Sequence, residues 1–309
     1  MIDITLLGTS ALLPLPERAL TAAVLCCNGH TILFDCGEGT QSAARKAGVS
    51  LMKTDVIALT HYHGDHIFGL PGLLQTMGSM NRTETLLITG PEGLKTAMQP
   101  ILRLAEWLPF PVELTELPPE GVALHTLFPG WPERAHLRAF PTRHRVPSQG
   151  YEFTLGRAGV FRPEKARALN IPVQQWSVLQ RGEAVTLGVQ EILPCQVMDP
   201  ERHGLKFVFS GDTAPCESLT GAARDADLLI CEATYGEDEQ ADLAAEYGHM
   251  TFSQAGKTAL DAEARRLWLA HYSQRIEDPE TCLPNAQRFF PEAVCGKDGM
   301  KTTLQFRNE

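Results

Sequence analysis

Short apolar runs alternate with amphipathic stretches along most of the chain. Runs rich in β-branched and aliphatic residues predict strands at residues 2–7, 23–27, 31–35, 55–60, 85–89, 206–210, 227–232 and 266–270. Helical periodicity lies between many of them and predicts helices at residues 40–47, 69–78, 91–105, 217–224, 238–247, 252–264 and 281–290. Strands separated by helices on this scale indicate sheets covered by helices, so we expect an α/β layered fold.

The segment from about 156 to 204 departs from this pattern. Gly, Pro and Arg are frequent there and the apolar periodicity is poor. We therefore expect this segment to be an arm inserted into the fold and not part of its core. Length alone leaves one large domain or two ordinary domains open, since the chain has 309 residues.

Charge and cysteine content narrow the class of protein. The net charge of −10 argues against a protein that coats nucleic acid through a general positive field, although it leaves a local basic patch open. The eight cysteines form no C-x-x-C pair, and Cys231 stands inside an apolar run, as a free buried thiol does. The chain begins without a signal-peptide pattern and has no membrane-spanning apolar run, so we expect a cytoplasmic protein in a reducing compartment.

The densest candidate chemistry follows the apolar run at residues 56–59. Within six residues the chain places His61, His63, Asp65 and His66. Alternate side chains of an extended segment share a face, so His61 and His63 can point at one metal ion while Asp65 and His66 turn toward a second. A polar loop with incidental histidines is the alternative, but so many ligand types in so short a run favour a metal site.

Three later residues also follow short apolar runs: His144, Asp212 and His271. Taken singly, an Asp or His at the end of a strand is more often a cap or a satisfied core group. Their order after the first cluster favours a shared site. A carboxylate can offer one oxygen to each of two ions, which makes Asp212 the natural bridge.

These residues together resemble the metallo-β-lactamase superfamily, and further motifs resemble ribonuclease Z in particular. Those motifs are residues 34–41 (FDCGEGTQ), 69–74 (GLPGLL), 210–213 (SGDT), 231–234 (CEAT) and 249–251 (HMT). The opening GTSA at residues 8–11, with Pro14 and Arg18 after it, is similar as well. The resemblance covers nearly the whole chain and is weakest between residues 156 and 204.

The resemblance implies a four-layer αββα sandwich as a single domain over residues 1–309, with the inserted segment as a substrate-binding arm. It implies an endonuclease that removes 3′ trailers from precursor tRNA, with two zinc ions per chain. His61, His63 and His144 would hold one ion, Asp65, His66 and His271 the other, and Asp212 would bridge them. Manganese is the alternative metal. A homodimer, in which one subunit's arm grips tRNA that the other processes, is also implied.

Roles for three residues follow from the resemblance and from simple chemistry. Asp65 would ligate a metal ion and accept the proton of the attacking water, while His249 would protonate the leaving ribose 3′ oxygen. Glu232 would orient His249 and keep it protonated, because a neighbouring carboxylate raises the pKa of a histidine. In the alternative, Glu232 caps a helix and His249 is a surface residue; the CEAT motif favours the catalytic role. The remaining candidates, His30, His125, His136 and His203, are expected to be structural.

Substrate contacts are predicted in the arm and near the last motif. Five basic residues between positions 157 and 181 stand against one acidic residue, a local charge of +4. The predicted tRNA contacts are Arg162, Lys165, Arg167, Arg181, Ser273 and Arg275. The arm departs from the family pattern where Val173 and Gln174 replace an expected Gly-Pro and where residues 186–189 replace an Asp-Gly turn. Ile276 stands where a Tyr is usual.

Two other functions compete with tRNA processing. One is a related binuclear hydrolase that acts on another phosphodiester or on a small ester. The other is a catalytically idle RNA-binding module, against which the complete set of ligand-type residues argues.

Overall fold

Two seven-stranded sheets form the centre of the molecule. A computed structural model describes residues 1–307. Its strands are β1 (Ile2–Gly8), β2 (Ala22–Cys27), β3 (His30–Phe34), β4 (Thr54–Ala58), β5 (Leu86–Thr89), β6 (Val112–Leu114), β7 (Val122–Ala123), β8 (Ala135–Pro141), β9 (Gln149–Arg157), β10 (Val185–Leu187), β11 (Gln190–Ile192), β12 (Arg202–Phe209), β13 (Leu228–Glu232), β14 (Leu267–Ala270), β15 (Val294–Cys295) and β16 (Lys301–Leu304).

The helices lie mainly between parallel strands. They are α1 (Thr40–Lys46), α2 (Gly64–Ile67), α3 (Leu70–Ser79), α4 (Leu94–Leu104), α5 (Pro163–Ala168), α6 (Trp176–Gln180), α7 (Glu217–Ala222), α8 (Ala241–Tyr247), α9 (Phe252–Asp261) and α10 (Leu283–Gln287). No helix within residues 1–307 is long and apolar enough to cross a membrane.

The two sheets are built alike. The first has the order β16-β1-β2-β3-β4-β5-β6, and the second has the order β15-β14-β13-β12-β9-β8-β7. Strands β3 to β6 run parallel to one another, as do β12 to β15, and the other neighbours in both sheets are antiparallel. Each sheet therefore has a parallel half whose strands end at a common edge, where ligand sites of α/β folds usually lie.

Three apolar clusters hold the layers together. The faces of the two sheets meet through fully buried side chains such as Phe34, Phe153 and Phe207. A second cluster packs α1, α3 and α4 on the first sheet, and a third packs α7, α9 and α10 on the second. The order of layers is helix, sheet, sheet, helix, which confirms the predicted αββα sandwich.

Most predicted elements occur within a few residues of their expected ends, and the differences have local causes. The predicted helices at 238–247 and 281–290 both start late, after short 3₁₀ turns at Asp238–Gln240 and Pro279–Thr281. The sequence did not predict β8 and β9, because half-exposed positions interrupt their buried ones and their apolar runs are short. It did not predict β7 because that strand has only two residues, both half-buried. It also missed β16, an edge strand with largely exposed side chains.

The predicted arm is an excursion between β9 and β12 with its own small core. Helices α5 and α6 and the β10–β11 hairpin surround an apolar cluster that includes Ala166, Leu179 and Val185. The two ends of the excursion are joined by backbone hydrogen bonds from Arg162 N to Val197 O (2.7 Å) and from Asp199 N to Val160 O (2.9 Å). The outermost parts of the range 156–204 belong to β9 and β12 of the main sheet.

Candidate metal centre

The parallel halves of both sheets place ligand-type residues at one edge. Asp35 follows β3 directly, and His61 lies three residues after β4. In the second sheet, Asp212 comes shortly after β12, Glu232 is the last residue of β13, and His271 follows β14. Because the two sheets face each other, these strand ends meet, and every residue of the predicted ligand set lies here.

One group contains three imidazoles and a carboxylate. His61 Nε2 lies 2.9 Å from His63 Nδ1, and His144 Nε2 lies 3.3 Å from the same His63 atom. Asp212 Oδ2 is 3.6 Å from His61 Nε2. His63 is extended, so its side chain shares the direction of His61, as the alternation in the sequence predicted. All four ligand atoms lie within 4.8 Å of one another.

A second group shares Asp212 with the first. Helix α2 begins at Gly64 and carries Asp65 and His66 around its first turn. His66 Nε2 lies 3.4 Å from Asp212 Oδ2 and 3.6 Å from Asp65 Oδ2. His271 Nε2 lies 3.2 Å from Asp212 Oδ1 and 3.8 Å from Asp65 Oδ2. Asp212 thus faces both groups.

The hydrogen bonds of the histidines leave lone pairs directed into the cluster. Four Nδ1 atoms each donate to an oxygen: His61 to Thr60 Oγ1 (3.0 Å), His66 to Asp35 Oδ2 (2.8 Å), His144 to Gly248 O (2.9 Å) and His271 to Thr234 Oγ1 (2.9 Å). The two threonine hydroxyls accept these protons because each donates its own to a carboxylate. The corresponding Nε2 atoms are therefore unprotonated, as metal ligands must be.

Two of these Nε2 atoms, on His66 and His271, are buried and have no hydrogen-bond partner in the described chain. A buried nitrogen lone pair without a partner is costly, and a divalent cation between the groups would satisfy it. Imidazole and carboxylate donors suit Zn²⁺ and also Mn²⁺. The donor set therefore fits a metal centre, and the hydrogen bonds behind it fix the ring orientations.

Asp35 is part of this arrangement, although the sequence analysis placed it only in the motif at residues 34–41 and assigned it no ligand or catalytic role. Its carboxylate accepts from Thr60 N (2.8 Å), Thr60 Oγ1 (2.8 Å) and His66 Nδ1, and it is fully buried. Its backbone is left-handed, with φ of 57°. Only the pairing of β3 with β4 brings Asp35 beside His66, and that pairing is not visible in one sequence.

Burial and neighbouring charges shift the pKa values of the ligand-type residues. Burial, followed by the neighbouring histidine charges, holds the pKa of His61 well below its usual value, and burial also lowers the pKa of His63 and His144. Burial works against the charged form of Asp65 as well. The neighbouring His271 and His66 side chains outweigh burial, so the pKa of Asp65 is lowered and the group is a carboxylate at neutral pH.

Glu232 and His249 form a pair beside the second group. Glu232 Oε1 lies 2.8 Å from His249 Nδ1, and its carboxylate also accepts from Thr213 N (2.7 Å) and Thr234 Oγ1 (2.7 Å). Burial lowers the pKa of His249, but the adjacent Glu232 carboxylate prevails and raises it to about 9. Glu232 caps no helix among the described residues, and the His249 side chain is only 15% exposed.

A cleft of about 1360 Å³ opens in front of the centre. The predicted contacts Ser273 and Arg275 line it, as do His249 and Asp65. Asp65 Oδ2 also accepts from Leu12 N at 2.8 Å, which fixes the orientation of the carboxylate.

The basic residues of the arm lie outside this cleft and have partners of their own. Arg162 and Lys165 pair with Asp199, Arg181 pairs with Glu183, and Arg167 lies 5.7 Å from the centre of the Trp176 ring. Over the whole range 156–204 six Lys and Arg residues stand against five Asp and Glu residues, a net charge of +1. The +4 predicted from residues 157–181 is thus largely balanced by acids further along the arm.

The other histidines take no part in the cluster. His30 Nδ1 lies 2.7 Å from Asp55, and His203 Nε2 lies 3.9 Å from Asp227. His125 is in a 3₁₀ turn and His136 is in β8. Their structural role stays a prediction.

Comparison with known proteins matches this architecture. A family model described as a β-lactamase superfamily domain matches residues 30–272. Ribonuclease Z of Lachnospira eligens is 40% identical over the full length of both chains, and ribonuclease Z of Lachnoclostridium phytofermentans is 39% identical, also over the full length of both. The crystal structure of human tRNase Z, short form, is 28% identical with a TM-score of 0.68, covering 98% of this chain and all of that one.

Proposed function

The chain belongs to the ribonuclease Z family of the β-lactamase superfamily, and we propose from this membership that it is an endoribonuclease that removes 3′ trailers from precursor tRNA. One structural observation carries the chemistry. Four imidazole Nε2 lone pairs and the carboxylates of Asp65 and Asp212 converge at a cleft of about 1360 Å³.

We propose that the centre holds two zinc ions, with manganese as the alternative. His61, His63 and His144 would hold one, Asp65, His66 and His271 the other, and Asp212 would bridge both. When bound, the two ions would lower the pKa of a water molecule, so that it can attack phosphorus as hydroxide, and would supply positive charge to the phosphate oxygens. The support for this division is geometric, since the residues fall into two groups that share Asp212.

The chain's own residues would move the two protons of the reaction. Asp65, oriented by the Leu12 amide, accepts the proton of the attacking water. His249, oriented by Glu232, donates its proton to the departing ribose 3′ oxygen. This order leaves a 3′-hydroxyl on the tRNA and a 5′-phosphate on the trailer.

A first prediction concerns Asp35. Asp35→Asn is expected to weaken zinc binding about 10- to 100-fold, because a neutral amide orients His66 less strongly and makes it a weaker ligand. Competition with a chromophoric chelator measures the affinity. The matched control is Asp55→Asn, which alters the Asp55–His30 hydrogen bond outside the cluster and should leave zinc affinity as it is. Equal affinity in the wild type and the Asp35 variant would show that Asp35 only stabilises the loop.

A second prediction concerns the arm, which we propose contacts the body of the tRNA. Deleting residues 159–180 would remove only part of the arm's apolar cluster and expose Val185 and Val197. Replacing residues 161–197 by a short Gly-Ser link removes the cluster whole, because the stems are already hydrogen-bonded near Val160 and Asp199. This variant should lose about 100-fold in kcat/KM for precursor tRNA, since several phosphate contacts disappear.

Hydrolysis of bis(p-nitrophenyl) phosphate should be retained, because that substrate is too small to reach the arm. If both activities fall together, the arm supports the core. If neither falls, the tRNA docks elsewhere. Because the charge of the arm is nearly balanced, its arginines would contact tRNA phosphates by giving up their ion pairs with Asp199 and Glu183.

We also propose a cytoplasmic location, because all eight cysteines are free thiols, as in a reducing compartment.

We further propose a homodimer in which the arm of each subunit binds the tRNA that the partner's metal centre cleaves. The arm-replaced variant and Asp212→Ala should each be nearly inactive on precursor tRNA when assayed alone. When the two variants are mixed and their subunits exchange, activity should return, because the heterodimer has one intact centre facing one intact arm. A mixture that stays inactive although light scattering shows dimers would place the arm and the centre in the same subunit.

A further inference from the structure

The cleft in front of the centre is acidic, which poses a problem for a polyanionic substrate. The carboxylates lining it are Glu38, Asp65, Asp212, Glu237, Glu277 and Asp278. Within the described chain its only Lys or Arg side chains are Arg145 and Arg275. Two bound metal ions would offset the carboxylates of Asp65 and Asp212, but phosphates on either side of the scissile one would still need a cation from the protein. Arg275 was predicted from its motif, whereas Arg145 has no assigned role.

Arg145 is held in place without being neutralised. Its guanidinium carbon lies 5.1 Å from the centre of the Tyr247 ring, within the range of a cation–π contact. It belongs to none of the ion pairs found in residues 1–307. A guanidinium on an aromatic face keeps its N–H groups free at the edge, where a phosphate can accept two of them.

The backbone around Gly248 links Arg145 to His249, the proposed general acid. Gly248 ends α8 with φ of 73°, and its carbonyl accepts from His144 Nδ1. A Cβ on Gly248 would lie only 2.9 Å from His144 Cα, so the two segments are in direct contact. Three consecutive residues therefore contact the site. The Tyr247 ring packs against the Arg145 guanidinium, the Gly248 carbonyl accepts a hydrogen bond from His144, and His249 pairs with Glu232.

This arrangement places Arg145 on the side of the cleft from which the leaving oxygen departs. In the proposed function, on which this step rests, His249 protonates the ribose 3′ oxygen of the nucleotide that remains on the tRNA. Near Asp65 the cleft is lined by the exposed side chains of Leu12 and Phe68, which are apolar and offer a phosphate no positive charge. The tRNA's own 3′ end must therefore lie beside His249 and Arg145.

We propose that Arg145, positioned by Tyr247, binds the phosphate immediately 5′ of the scissile one, on the mature tRNA side of the cut. Arg145→Gln should lower kcat/KM for precursor tRNA about 10- to 100-fold, the range for a charge-assisted hydrogen bond, with a larger change in KM than in kcat. For this variant, the slope of log(kcat/KM) against log[salt] should be less steep by about 0.7, which corresponds to the loss of one phosphate contact to a single strand.

The matched control is Arg143→Gln. Arg143 is exposed, lies two residues away, does not line the cleft and belongs to no ion pair in the part of the chain that is described. This variant should keep the wild-type salt slope and kcat/KM. Tyr247→Phe, which keeps the ring, should retain more activity than Tyr247→Ala, which removes the platform.

A neutral methylphosphonate in the substrate identifies the phosphate. Placed immediately 5′ of the cut, it should slow the wild type by the same factor as Arg145→Gln and should slow the variant little further. Placed on the trailer side, it should leave the effect of Arg145→Gln intact. The inference is overturned if Arg145→Gln matches Arg143→Gln, or if only the trailer-side methylphosphonate abolishes the variant's defect. Absence of cleavage by the wild type would instead refute the proposed function.

Discussion

Replacing Asp212 by alanine is expected to reduce precursor tRNA cleavage and bis(p-nitrophenyl) phosphate hydrolysis together, each by about 10³-fold or more. Asp212 is buried, and its two oxygens face His61 and His66 on one side and His271 on the other. Without this carboxylate, the two ions proposed above would lose a shared ligand, and the site would lose negative charge that offsets the repulsion between two cations. Several kcal/mol of transition-state stabilisation depend on that charge, and each factor of ten in rate corresponds to about 1.4 kcal/mol.

Metal content by elemental analysis, measured alongside kcat/KM for both substrates, checks this expectation. The control is Asp261→Ala, which removes an exposed carboxylate from α9 and should leave metal content and both activities at the wild-type level. A variant at Asp212 that keeps two ions and both activities would show that the two groups do not share this residue.

Replacing His249 by alanine should instead separate the two substrates. Cleavage of precursor tRNA is expected to fall about 10³-fold, within the range for loss of a positioned general acid. Hydrolysis of bis(p-nitrophenyl) phosphate should fall much less, because p-nitrophenolate is a stable anion that departs without a proton. The 2.8 Å contact with Glu232 and the resulting pKa of about 9 keep His249 protonated at neutral pH.

Glu232→Gln should show the same discrimination with a smaller loss on precursor tRNA, about 10- to 100-fold, because a neutral amide still orients the ring but no longer stabilises its charge. Comparing the two substrates for both variants distinguishes the acid from a structural role. Equal losses on the two substrates would mean that His249 supports the metal groups and does not serve as the acid.

The metal cluster was largely predictable because each ligand stands at a recognisable place in the sequence. His61, Asp212 and His271 all follow short buried strands, and parallel strands in one layer end at the same edge. His144 had a weaker signal, since it follows β8 by a loop and β8 was not predicted as a strand. The half-exposed positions of that strand shorten its apolar run, which pointed to His144 but was too irregular to predict a strand.

Residues that act through another residue were harder to find. Asp35 lies beside His66 only because β3 pairs with β4, and Arg145 lies over Tyr247 only because Gly248 allows two distant segments to touch. The ion pairs within the arm were hidden for the same reason. Asp199 is far from Arg162 in sequence but adjacent to it across the base of the arm. Contacts of this kind depend on tertiary pairing, which a single sequence does not display.

Cleavage of a precursor tRNA by the purified protein, with the new ends mapped, tests the proposed endonuclease activity itself. We expect a cut at the trailer junction that leaves a 3′-hydroxyl on the tRNA and a 5′-phosphate on the trailer. We also expect cleavage when the nucleotide before the cut lacks its 2′-hydroxyl, loss of activity after chelation, and recovery on adding zinc. A protein that retains two bound ions and hydrolyses bis(p-nitrophenyl) phosphate but leaves precursor tRNA intact would not be an endonuclease of this kind.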